Sequence, residues 1–127
     1  KMCEQNALMF KDRIGYDDQY NGLALEGGEG ERIASTMGNR SVAFLASHGI
    51  VVCGENMAEA YTDLYYLERA AMFQILAASD GSELVEVPED VQEITRQQVM
   101  EDRALLSTRL FGALRRMLDR QEPEYRN

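Results

Sequence analysis

The sequence predicts an α/β protein, a β-sheet packed by helices, on three observations. Two nearly continuous apolar runs of strand type, Val42–Ala46 and Ile50–Cys53, lie on either side of Ser47-His48-Gly49. A long stretch of helical periodicity follows, in which Ala60, Leu64, Leu67, Ala71, Ile75 and Ala78 recur every three or four residues. At 127 residues with 45% hydrophobic content, the chain fits one domain with ample material for a core.

Met2–Met9 is a short mixed segment that reads as the end of a helix. Phe10–Tyr16 reads as a strand anchored on Phe10, Ile14 and Tyr16. Asp17-Asp18-Gln19-Tyr20-Asn21-Gly22 is a loop with Asn-Gly as its turn signal. Its two acids are adjacent and point apart on an extended chain, so they read as a solvated turn and not as a metal site. Leu23–Leu25 is short and apolar, and Glu26-Gly27-Gly28-Glu29-Gly30-Glu31 is glycine-rich. Phosphate loops aim N–H groups at an anion, but three glutamates without a lysine repel one. This stretch therefore reads as a linker into a helix, Gly30–Met37, closed by Gly38. The acids at that helix start suit its dipole.

In the central unit Val42, Phe44, Ile50, Val51 and Val52 are β-branched or aromatic, and their near-continuous apolar character predicts a sheet covered on both faces. Gly49 lets the chain reverse tightly. Asn56 with Glu59 forms a capping box at the start of the long helix, and Asp80-Gly81 ends it. Tyr61, Tyr65 and Tyr66 read as packing on that helix, and Glu68 needs a partner if it faces the sheet. Ser82–Val87 connects to Pro88-Glu89-Asp90, which opens the next helix with proline and acids where they fit. Val91, Ile94, Gln98, Leu106, Leu110, Ala113, Leu114 and Met117 hold helical spacing, either as one helix or as two with a bend near Met100–Arg103. Arg115, Arg116 and Arg120 complement the dipole at its end, Glu122-Pro123 stops it, and Glu124–Asn127 is a tail.

The net charge of −9, from 22 acidic against 13 basic residues, leaves no basic stripe. Nucleic-acid binding and attachment to anionic membranes are therefore not expected. No apolar run approaches the roughly 20 residues that span a bilayer. Of two cysteines, Cys53 lies in an apolar run and Cys3 near the start, which does not read as a disulfide framework, so a cytoplasmic setting is expected.

His48 is the only histidine, and taken alone it reads as a hydrogen-bonded turn residue. The run from His48-Gly49 through Gly54, then Glu59-Ala60 and Leu67-Glu68-Arg69-Ala70-Ala71, resembles the class II aldolase/adducin family. The match is strongest over Ser41–Ala78 and extends more loosely from about Phe10 to Arg126, including LDRQEPEYR. The resemblance implies a central mixed β-sheet flanked by helices. It also implies a divalent ion, Zn²⁺ or another, held by three histidines, of which His48 matches the one in the hairpin. A lyase (aldolase) or epimerase on small sugar-derived substrates follows, in a homo-oligomer, with a tetramer favoured. Ser47 stands where the family more often has asparagine or histidine. A tyrosine near the carboxyl terminus acts in some members as a proton donor in a neighbouring subunit's site, and Tyr125 lies in about that region.

The upstream His-X-His, the acidic catalytic residue and the substrate-phosphate loops of the family have no counterpart in these 127 residues, and the chain opens on Lys1. The expectation is the carboxyl-terminal part of a longer polypeptide, forming a single domain over residues 1–127 that lacks its amino-terminal half. One imidazole does not hold a metal against water, so the bare chain is expected to bind metal weakly and to be inactive by itself. The alternative is an adducin-like interaction module that keeps the fold without the chemistry. The substrate is not legible.

Overall fold

The computed structural model describes residues 1–22 and 27–126. Leu23–Leu25 and the first residue of the glycine-rich stretch, Glu26, lie outside the described residues. The elements are α1 (Gln5–Leu8), β1 (Ile14–Asp17), α2 (Gly27–Met37), β2 (Val42–Leu45), β3 (Gly49–Val52), α3 (Met57–Ala77), α4 (Glu89–Gln121) and a closing 3₁₀ turn, Pro123–Arg126.

The sheet is mixed, in the order β1-β2-β3. β1 and β2 are parallel, joined by α2 as a crossover, and β2 and β3 form an antiparallel hairpin. The register sets Ile14 against Val42 and Tyr16 against Phe44 on one face, continued by Ile50 and Val52 of β3. That face packs on a core of Met9, Phe10, Val42 and Leu67. The opposite face carries Gly15, Asp17, Ala43 and Leu45 toward α2. A side chain at Gly15 would put its Cβ 2.5 Å from the Thr36 carbonyl oxygen, so α2 lies this close to β1 only because glycine is there.

The predicted hairpin forms within a residue of its expected ends, with Ala46 in the turn and Cys53 exposed just past β3. The first predicted strand is corrected. Met9–Arg13 is a run of turns held by hydrogen bonds such as Phe10 N–H to the Ala7 carbonyl, with Asp12 left-handed at φ 61, and the strand begins only at Ile14. Phe10 is a core residue above the sheet and not part of it. Helix α2 starts three residues before the expected Gly30 and ends, as expected, on a left-handed Gly38 whose N–H bonds the Ala34 carbonyl.

Helix α3 is capped by Asn56, whose side chain accepts from the Glu59 N–H at 3.1 Å. Its buried face differs from the expected stripe. Glu59, Thr62, Asp63, Leu67 and Ala70 point inward, while Leu64 and Ile75 are exposed. The helix is rotated because buried ion pairs satisfy its inward carboxylates. Asp63, with 0% of its side chain exposed, accepts from Arg13 of the turn after α1 and from Arg103 of α4, and Arg103 also reaches Glu59. Burial pulls the Arg103 guanidinium down, and the Asp63 and Glu59 carboxylates more than offset this, so its pKa is raised overall. Glu68 is exposed and needs no partner. Helix α4 is one continuous helix, settling the open choice between one and two. Tyr61 packs edge-on against its Phe111, as a packing aromatic should.

Candidate functional site

In a parallel β-α-β unit, ligands approach the carboxyl ends of the strands, where the crossover loops meet. That end here gathers Asp17, the last residue of β1, the first turn of α2, and the turn after β2 that carries His48. The turn owes its shape to backbone conformation. Ser47 is left-handed at φ 57 and Gly49 adopts φ 141, which together swing His48 outward between them.

His48 has 55% of its side chain exposed, so its ring is not packed in hydrocarbon. Its Nδ1 lies 3.7 Å from Oε1 of Glu29, beyond hydrogen-bond length but within ion-pair reach. Tyr20 approaches the ring edge-on at 6.4 Å between centroids. Arg32, one turn along α2, holds the cluster together. It donates at 2.6 Å to Asp17 Oδ2 and at 2.7 Å to the Gln19 carbonyl, and its Nη2 lies 3.5 Å from Glu29.

This corrects the reading of Asp17 as part of a solvated turn. It is buried at the strand end and paired with Arg32, while Asp18 is exposed. Glu29 and Arg32 were not singled out from the sequence as site residues. The available signal was their i, i+3 spacing at a helix start followed by a strand whose end carries a histidine.

The imidazole fits the role of one metal ligand, being exposed, at a rigid strand end, with a carboxylate beside its other nitrogen. Among the described residues no group of three His, Cys, Asp or Glu side chains is placed to hold an ion. His48 can therefore supply one ligand of a set, and this chain's described residues do not complete it.

Tyr125 is not brought to His48. It sits in the closing 3₁₀ turn, which packs on α4 alone, and its hydroxyl donates to Asp119 Oδ1 at 2.7 Å. That bond, together with Arg126, holds the Asp119 carboxyl below its usual range. An apolar cavity of about 250 Å³ between α1, α3 and the sheet, lined by Phe10, Ile14, Tyr16, Phe44 and Leu67, shares no residue with the His48 cluster.

Residues 1–75 match the family model described as the class II aldolase and adducin N-terminal domain. A protein of Caulobacter vibrioides named for aldolase class 2 is 32% identical over 122 residues, covering 95% of this chain and 47% of that protein. The crystal structure of an aldolase II superfamily protein from Pseudomonas syringae superposes with a TM-score of 0.88 at 33% identity, covering 99% of this chain and 51% of the other. An L-fuculose 1-phosphate aldolase from Glaciozyma antarctica shares the fold, with a TM-score of 0.63 at 17% identity over 88% of this chain and 45% of its own. The chain thus spans about half the length of the relatives it matches.

Proposed function

This chain belongs to the class II aldolase and adducin family, and from that premise we propose that it is the carboxyl-terminal part of a divalent-metal lyase or epimerase acting on small sugar-derived substrates. The observation that carries the reading is the placement of His48, an outward-facing imidazole at the carboxyl end of a parallel strand pair, with its Nδ1 turned toward a carboxylate. A Zn²⁺ or similar ion, when bound, supplies a Lewis acid that takes up negative charge developing on substrate oxygens. His48 contributes one neutral ligand, and the remaining ligands come from outside these 127 residues. Arg32 and Asp17 fix the start of α2 against the strand ends, so that the rim around the imidazole is rigid before substrate arrives. Tyr125 is the proposed proton donor, acting in the site of a neighbouring copy after release from Asp119.

Residues 1–127 form a single domain in this reading, and the chain works in a cytoplasmic homo-oligomer, a tetramer in the simplest case, without nucleic-acid or membrane partners. Its surface supports the association. A compact monomer of 14.4 kDa exposes about 6,800 Å², whereas this chain exposes 8742 Å², with Tyr16 67% exposed on the sheet and Ile75 71% exposed on α3. No helix of the described residues is long and apolar enough to cross a membrane.

The test is an assay of the natural protein carrying these residues for cleavage or epimerisation of small hydroxy-carbonyl compounds, with and without chelator. Turnover abolished by chelation and restored by Zn²⁺ or Mn²⁺ supports the reading, and chelator-insensitive turnover refutes it. The adducin-like interaction module is the second reading, drawn from the same family resemblance. It predicts no stoichiometric metal in that protein together with saturable binding to cytoskeletal filaments.

A further inference from the structure

We propose that Glu29 is a positioning residue that sets the tautomer of His48, accepting a hydrogen bond from Nδ1–H so that Nε2 is presented bare to a divalent cation. The inference rests on the reading of His48 as a metal ligand and adds the device that prepares it.

A neutral imidazole carries one proton on one of two nitrogens, and in free solution the Nε2–H form is preferred. Metal binding through Nε2 needs the opposite tautomer, which is why metal-binding histidines characteristically donate their other N–H to a carboxylate or carbonyl. Glu29 is the group placed to impose it. Its carboxylate faces Nδ1 at 3.7 Å, and only 12% of its side chain is exposed. About 1 Å of closure brings the pair to a charge-assisted hydrogen bond, a movement available to the exposed ring by rotation about its own χ angles.

The carboxylate is also held from behind. Arg32 lies 3.5 Å from Glu29 and is itself anchored at 2.6 Å on Asp17, whose side chain is 4% exposed. Asp17, Arg32, Glu29 and His48 therefore form one line from the end of β1 across the first turns of α2 to the turn after β2. Two carboxylates share a single guanidinium there, which leaves one negative charge unbalanced beside the imidazole. A proton on Nδ1, or a cation on the far side of the ring, is what that charge favours.

The chain has a single histidine, so the tautomer can be read without ambiguity. The experiment is two-bond ¹H–¹⁵N correlation spectroscopy of the ¹⁵N-labelled 127-residue chain at a pH where the imidazole is neutral, for wild type, Glu29→Ala and the near-isosteric Glu29→Gln. The Nδ1–H form is expected to be the majority in wild type and the minority in Glu29→Ala, with Glu29→Gln between. A wild-type ring in the Nε2–H form, or a folded Glu29 variant with the wild-type mixture, overturns the inference. Titration with Zn²⁺ forms a separate arm. Movement of the Nε2 resonance with Nδ1 still protonated supports both the inference and the metal reading. A wild-type Nδ1–H ring lost in Glu29→Ala supports the Glu29 inference even if Zn²⁺ does not move it, because the described residues of the bare chain hold one ligand of the set. The metal reading fails separately if the natural protein carrying these residues keeps its ion in His48→Ala.

Discussion

Replacing Asp63 with alanine removes the carboxylate on which two guanidinium groups converge. Its side chain is fully buried, and those of Arg13 and Arg103 are each 13% exposed. Deleting one member of a buried ion network leaves its partners desolvated without compensation, a loss of about 3–5 kcal/mol. Glu59 still neutralises part of Arg103, which places the expectation nearer the lower end. For a domain of this size each kcal/mol lowers Tm by about 3–5 °C, so a fall of roughly 10–15 °C is expected. Urea unfolding followed by helical circular dichroism should show a lower midpoint with an unchanged m-value. Asp63→Asn keeps the shape and an acceptor and should fall between the two. A loss below about 1 kcal/mol for Asp63→Ala would refute the argument that these pairs, and not an apolar stripe, set the rotation of α3.

Three further outcomes follow from particular contacts. Gly15→Ala drives a Cβ into the Thr36 carbonyl and should destabilise by about 1–3 kcal/mol or more; because it displaces α2, it should also shift the His48 resonances without touching that residue. Ser47→Asn relieves a left-handed serine at φ 57 and should stabilise by about 0.5–1 kcal/mol in thermal unfolding. Glu93 is held down to about 2, from 4.5, by hydrogen bonds from Arg96 and then Gln97. Since its folded value lies below its unfolded one, the stability it contributes is present above about pH 4.5 and is lost as pH falls toward 2. Glu93→Gln should accordingly flatten the acid limb of an unfolding titration in that window, and an unaltered limb would show the pair to be inert.

Much of the fold was legible because local and tertiary preferences agree there. The hairpin follows from two β-branched runs around a glycine, the start of α3 from an asparagine cap, and the end of α2 from Gly38. The misread parts are those where distant residues decide. Phe10 has strand propensity, yet the turns after α1 carry it over the sheet into the core. The apolar stripe expected through Ala60, Leu64 and Ile75 omits Glu59 and Asp63, and their burial becomes tolerable only through Arg103, forty residues after Asp63, together with Arg13, fifty residues before it. Asp17 likewise looked solvated because Arg32, its partner, lies across the crossover. At the candidate site, the place of His48 in the turn between β2 and β3 was legible from the hairpin pattern. Glu29 was not, since a glutamate in a glycine-rich stretch gains meaning only when α2 is laid against the ends of β1 and β2.

The most direct measurement is the divalent-metal affinity of the natural protein carrying these residues, wild type against His48→Ala. The account predicts about one ion per chain in the wild type and an affinity at least about a hundredfold weaker without the imidazole. Equal metal retention in both proteins would contradict it.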